Sequence, residues 1–166
     1  KVKSVMILGV AGGNGLSYID KRNFDKVYGV DINEKYLRAC MEKYPELKDV
    51  FEAICTDLTD KSVRLPHADL LIANLLVEYI GYECFKKVIK QVNPRYVSCV
   101  IQIDTDASYV SKSPYIHVFD RLDEIHHQIN GNALICEMNE IGYKKQMYTE
   151  TELPNKKRFA RLDFIR

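Results

Sequence analysis

The sequence predicts a doubly wound α/β domain, with a mostly parallel seven-stranded sheet, helices on both faces and a C-terminal antiparallel hairpin. Three observations carry that expectation. An apolar run of strand length, Val5-Met6-Ile7-Leu8, empties into the glycine-rich stretch Gly9-Val10-Ala11-Gly12-Gly13-Asn14-Gly15. A second apolar run, Val27-Tyr28-Gly29-Val30, ends in a carboxylate at Asp31. Beyond it, short apolar runs alternate with stretches of helical periodicity, the pattern of successive β-α-β units.

The elements follow in order. A helix is expected from near Asn14, after the glycines. After Asp31, Leu37, Met41 and Tyr44 recur at helical spacing, and Pro45 marks that helix's end. Phe51-Glu52-Ala53-Ile54-Cys55 is the third strand. Ala68-Asp69-Leu70-Leu71-Ile72-Ala73-Asn74 is the fourth, apolar enough to be covered on both faces. Leu75 to Ile80 leads into a helix. Past Gly81, Phe85, Val88, Ile89 and Val92 share one face of it, and Pro94 stops it. The fifth strand is Tyr96 to Ile103. Ser113-Pro114 reads as the cap and first residue of a helix striped by Tyr115, Val118, Leu122 and Ile125. Another helix begins near Asn132, carries Leu134, Ile135, Met138 and Ile141, and ends at Gly142. Strands around Tyr143–Thr149 and Phe159–Ile165 flank a Pro154-Asn155-Lys156 turn.

Sheets of this kind bind ligands beyond the carboxyl ends of their parallel strands, and the glycine-rich turn lies there. Asp31, at a strand tip, can accept two hydrogen bonds from a ribose diol. A helix starting near Asn14 would offer free N–H groups to a negative ligand group. The spacing of the glycines separates two nucleoside classes. A dinucleotide loop needs G-x-G-x-x-G, but here those positions hold Gly9, Ala11 and Asn14. Read as G-x-G/A-x-G, the window fits with Gly9, Ala11 and Gly13. In this pattern, and in the order of the segments from first strand to fifth, the chain resembles the class I S-adenosylmethionine-dependent methyltransferases. Their usual D-x-G-x-G-x-G loop has an acid where this chain has Ile7 and a glycine where it has Ala11.

The resemblance implies S-adenosylmethionine as cofactor, cradled by Gly9, Val10, Ala11, Gly13, Asn14 and Gly15. It implies Asp31, with Ile32 beside it, on the ribose. It also implies Asp57 on the adenine amino group, Leu58 against the ring, and Asn74 above the cofactor. The implied reaction is direct in-line methyl transfer to a small-molecule acceptor. Such a reaction needs alignment and exclusion of water, with a base only when the nucleophile arrives protonated. Glu78, Tyr79 and His117 are therefore the candidate catalytic residues. Each also has a structural reading: Glu78 as a solvated acid in a helix's first turn, Tyr79 as sheet packing, His117 as a surface histidine. Asp69, at a strand entrance, reads as a cap or surface acid. Lys86-Lys87 and Lys144-Lys145 read as solvated faces.

Composition bounds the rest. With 46% apolar residues among 166, residues 1–166 suit one domain with an adequate core. Lys plus Arg total 24 and Asp plus Glu total 23, so no basic excess advertises nucleic acid. No apolar run reaches membrane-spanning length and no signal peptide precedes the first strand, so the expectation is a cytoplasmic protein. The five cysteines have no metal-ligand spacing and read as reduced thiols. His126 and His127 point about 100° apart on a helix, so no metal is expected there. The segment from Asp104 to Asn132, with Tyr109, Tyr115, His117 and Phe119 among its serines, suits a small, partly aromatic or polar acceptor. A partner subunit could complete its pocket, making a homo-oligomer possible. Two other classes stand beside the enzyme: a methyltransferase-like scaffold or sensor without turnover, and an NAD-binding oxidoreductase. The C-terminal hairpin opposes the second, because a dehydrogenase would continue with parallel units.

Overall fold

The computed structural model describes residues 1–13, 15–103, 127–154 and 157–166 of the chain. Its centre is β1 (Ser4–Leu8), where Val5, Met6, Ile7 and Leu8 are all buried. A strand covered on both faces reads as a continuous apolar run, which is why its sequence does not alternate. β2 (Lys26–Asp31) and β4 (Leu70–Asn74) pair with it in parallel on opposite sides, so that Leu8 lies between Val30 and Ala73. β3 (Phe51–Cys55) adds in parallel outside β2, and β5 (Tyr96–Ile103) outside β4. β7 (Arg158–Ile165) then runs antiparallel to β5, and β6 (Lys144–Glu152) antiparallel to β7. The seven-strand order is β3-β2-β1-β4-β5-β7-β6. The expected fold class, including the antiparallel ending, is present.

The helices bury one face each. α1 (Glu34–Lys43) is capped by Asn33, whose side chain accepts from Lys35 N at 3.0 Å. It buries Leu37 and Cys40, whereas Met41 is half exposed. The expected stripe ran through Met41; the burying step from Leu37 is three residues, not four. α2 (Val77–Val92) buries Phe85, Val88, Ile89 and Val92 as expected, and ends on Asn93 in the left-handed region. It is kinked at Gly81, whose φ of 70° and ψ of 169° interrupt the helix. α3 (Gly131–Glu140) is capped by Asn130 and buries Leu134 and Met138. Two cores result. One packs Met6, Leu8, Leu71, Ala73, Val97 and Cys99 under α2 and α3. The other gathers Val5, Ile7, Val10, Val27, Leu37 and Cys40 under α1.

Among the described residues, one expected element is absent. Instead of a helix from near Asn14, the chain makes only a three-residue 3-10 turn, Leu16–Tyr18, before β2. Asp20 accounts for the break. Its side chain accepts from Arg22 N at 3.0 Å and its carbonyl from Asn23 N at 2.9 Å, a local turn that competes with helix. So short a turn offers no aligned helix N-terminus, and the expected anion site at that terminus falls with it. The helix expected over 113–125 lies outside the described residues.

Two charged residues hold elements together. Asp69 Oδ2 accepts from Lys3 N at 2.7 Å and Ser4 N at 2.9 Å, while Asp69 N donates to Ser4 Oγ at 2.9 Å. It caps the start of β1 on the side of the sheet opposite the glycine turn, as its sequence position suggests. Lys86 departs from expectation. Only 11% exposed, it is no solvated cation: its Nζ bonds Glu83 at 2.8 Å, Glu140 at 3.1 Å and also Glu137, tying α2 to α3.

Two outcomes are expected. Lys86→Ala should lower the melting temperature in thermal unfolding, because three carboxylates lose their cation; no change would mean the ion pairs are merely surface pairs. The backbone N–H donors on Asp69 hold its carboxyl below the ordinary range. Folding therefore lowers this pKa, so the stabilisation is present above the ordinary carboxyl value and lost as pH falls through the folded one. Asp69→Asn should cost about 1–2 kcal/mol in urea unfolding at pH 7, and the gap to wild type should close as pH falls through the folded carboxyl value. A gap independent of pH would rule out the carboxylate as its source.

Candidate functional site

A cavity of about 420 Å³ opens beyond the carboxyl ends of β1, β2 and β3, beneath the first turns of α2. Its position follows from strand order. β1 has β2 on one side and β4 on the other, and the connections leave in opposite directions, so a crevice remains between them.

The first wall is the glycine loop. Gly9 N and Val10 N both donate to Val30 O, at 2.8 and 3.1 Å, turning the chain sharply over the end of β2. Gly9 lines the cavity, and a Cβ there would press Leu76 at 3.3 Å. Ala11 follows with φ at 49°, the left-handed region that costs an L-residue about 1–2 kcal/mol. Its N–H donates to Asp31 Oδ2 at 2.9 Å, while Asp31 Oδ1 accepts from Asn33 N at 2.8 Å. Asp31 therefore has a structural task as well as a place on the cavity wall. Gly13 has φ at 96°, and a Cβ on it would lie 2.5 Å from the Tyr44 ring. Only glycine suits both the angle and the neighbour.

The second wall follows β3. Thr59 donates to Asp57 Oδ1 through both its N–H and its hydroxyl, at 2.8 and 2.7 Å, which fixes the turn that carries Asp57 and Leu58. The third comes from α2. Leu75, at the tip of β4, takes φ at 54°, with its N–H on Val100 O at 2.8 Å. That left-handed step brings Leu76, Tyr79 and Ile80 over the opening.

Of the residues singled out in sequence, Gly9, Asp31, Ile32, Asp57, Leu58 and Tyr79 meet at this cavity. Ala11, Gly13 and Gly15 shape the loop without lining it. Val10 is fully buried in the core under α1, so its side chain faces away from any ligand there. Asn74 is exposed at its strand end and is not among the lining residues. Glu78 is 1% exposed and its Oε1 accepts from Gln102 N at 2.6 Å, joining α2 to β5. It is neither the solvated acid of one reading nor a lining group of the other. Asn14 and His117 lie outside the described residues. Thr56, Thr59, Leu76 and Ile80 also line the cavity and were not singled out in the sequence. Only the i, i+3, i+4 spacing of Leu76, Tyr79 and Ile80 could have signalled Leu76 and Ile80, and nothing in the sequence marks Thr56 and Thr59.

The lining has a consistent chemistry. Ile32, Leu58, Leu76 and Ile80 give it apolar surface, and Asp31 and Asp57 stand at its rim as acceptors. A flat heterocycle with exocyclic N–H groups, joined to a sugar diol, fits such a set. Each oxygen of Asp31 that takes one N–H keeps further acceptor capacity for a hydroxyl.

A family model described as a methyltransferase domain matches residues 7–95. No curated protein matches the sequence. Many solved structures share the fold, the next three among them over 99% of this chain. Magnesium protoporphyrin IX methyltransferase from Synechocystis PCC 6803, with bound S-adenosylhomocysteine, is 14% identical, with a TM-score of 0.69 over 74% of its own chain. Geranyl diphosphate methyltransferase in complex with S-adenosylmethionine is 10% identical, with a TM-score of 0.73 over 78% of its chain. The [4+2]-cyclase SpnF is 8% identical, with a TM-score of 0.73 over 75% of its chain. At these identities the likeness is one of fold alone. The family rests on the family model, which takes in the glycine loop, all of the cavity's described lining, the end of β1 and the whole of β2, β3 and β4. With more than half its length so matched, the chain belongs to the methyltransferase domain family.

Proposed function

We propose that this methyltransferase domain binds S-adenosylmethionine in the cavity between β1, β2 and α2, and passes its methyl group to a small-molecule acceptor. The observation that carries the proposal is the meeting, in one cavity, of Gly9, Asp31–Ile32 and Asp57–Leu58 from the ends of three parallel strands. In the glycine spacing and in these two strand-end acids, the residues present suit an adenosyl group better than a dinucleotide.

The cofactor, when bound, supplies a methyl group on a sulfonium that is already a good leaving group. The chain's own part is binding, alignment and exclusion of water. Asp31 accepts from the ribose hydroxyls with the capacity left beside Ala11 N and Asn33 N. Asp57, held by Thr59, accepts from the adenine amino group while Leu58 packs on the ring. Leu76 and Ile80 keep the site dry. Tyr79 is the remaining catalytic candidate at the cavity, placed to orient an acceptor. Glu78 serves the scaffold through Gln102. A small acceptor accords with the near balance of 24 basic and 23 acidic residues, which gives no field for nucleic acid.

Calorimetric titration tests the reading. Wild type should bind S-adenosylmethionine and S-adenosylhomocysteine and leave NAD unbound. Asp31→Ala should weaken the adenosyl ligands by about tenfold or more, through loss of a charged acceptor and of the anchor on Ala11. Selective NAD binding, or adenosyl binding indifferent to Asp31→Ala, would sink it. Adenosyl binding without turnover across an acceptor panel would leave the cofactor site standing and remove the transferase step.

A further inference from the structure

Three of the five cysteines donate to a backbone carbonyl in one of the loops that follow β1, β2 and β3. Cys40 Sγ, on the buried face of α1, donates to Ala11 O at 3.1 Å. Cys84 Sγ, on α2, donates to Leu58 O at 3.1 Å. Cys55 Sγ approaches Ile32 O at 3.6 Å, the longest of the three. A thiol is a weak donor, and a single such contact would carry little. Cys99 Sγ makes a contact as long as that of Cys55, 3.6 Å, to Leu162 O in the core, so the two 3.1 Å contacts on loops of one cavity are what asks for an explanation.

The two short contacts each fasten a helix to a loop. Ala11 sits at a left-handed φ that its own side chain disfavours. Its N–H is taken by Asp31 and its C=O by Cys40, so both polar groups of this strained residue are pinned. Cys84 spans the opening differently. Leu58 lines one wall, whereas Tyr79 and Ile80, on the same helix as Cys84, line another. The helix kinks at Gly81, between Ile80 and Cys84, so the thiol ties its regular part to the loop that carries Asp57 and Leu58. Burial pushes both thiols above the usual cysteine value, which keeps the S–H proton in place for donation.

We propose that Cys40 and Cys84 are positioning residues for the cavity's ligand, holding the glycine loop and the Asp57–Leu58 loop in their ligand-ready shape through thiol-to-carbonyl hydrogen bonds. This rests on the reading of the cavity given above as an S-adenosylmethionine site. The ligand need not touch either sulfur. The variants Cys40→Ala and Cys84→Ala remove the donor; Cys40→Ser and Cys84→Ser replace it with a hydroxyl.

The test measures S-adenosylhomocysteine affinity by calorimetry and amide hydrogen exchange of the ligand-free protein, with a thermal melt for each variant. Each alanine variant should bind about three- to tenfold more weakly than wild type, and each serine variant within about twofold. In the free protein, Ala11 and Gly13 amides should exchange faster in Cys40→Ala, and Thr59 and Asp60 amides faster in Cys84→Ala. Serine should restore the protection in both. Alanine variants that bind and exchange like wild type would overturn the proposal. So would serine variants that lose as much as alanine, since packing and not donation would then be the cause. If wild type binds no S-adenosylhomocysteine, the reading of the cavity fails. The exchange data still decide the hydrogen-bond role: faster exchange confined to the alanine variants upholds it, unchanged exchange overturns it.

Discussion

β1 is hydrogen-bonded along both edges, to β2 on one side and β4 on the other, and is buried on both faces. Its carboxyl end therefore has nowhere to go but out of the sheet, and the chain must turn there within a few residues. That constraint governs the ligand side of the molecule. It makes the loop after β1 short and glycine-rich and opens the crevice at the reversal of strand order. It also aims the ends of β2 and β3, with Asp31 and Asp57, at the same space. The opposite end of β1 has the complementary need, a cap for its first N–H groups, which Asp69 meets.

Strain collects at this crevice. Ala11 and Leu75 are both non-glycine residues in the left-handed region, one on each side of the opening. Such conformations cost about 1–3 kcal/mol each and persist only where the surroundings fix them. Here the fixing partners are visible. Asp31 and Cys40 hold Ala11, and Val100 O holds the N–H of Leu75 as the chain passes into α2. The same carboxylate that offers acceptor capacity to a ligand thus also shapes the loop beside it. Under the proposed reading, binding and loop shape are coupled through Asp31.

Much of this was legible in the residues. Gly9, Ala11 and Gly13, then Asp31 and Asp57 at strand ends, read correctly as one side of a parallel sheet because their signals are local. A turn needs glycine, and a strand end needs a reason for an acid. What was not legible depends on partners far along the chain. Glu78 reads as a solvated first-turn acid until Gln102 N, across on β5, is found to hold it. Lys86 reads as surface until α3 supplies Glu137 and Glu140. The structural half of Asp31's role leaves no trace in the sequence either, because its two partners there are backbone N–H groups. The missing helix after the glycines was a local error of a different kind: Asp20 offered a competing turn that apolar periodicity does not weigh.

The proposed function places the adenosyl cofactor in the crevice beside β1. A crystal structure of the protein grown with S-adenosylhomocysteine tests it most directly. The expected density lies over Gly9, with the ribose at Asp31 and the adenine at Asp57 and Leu58. Ligand density elsewhere on the molecule, with this cavity holding only solvent, would contradict the account.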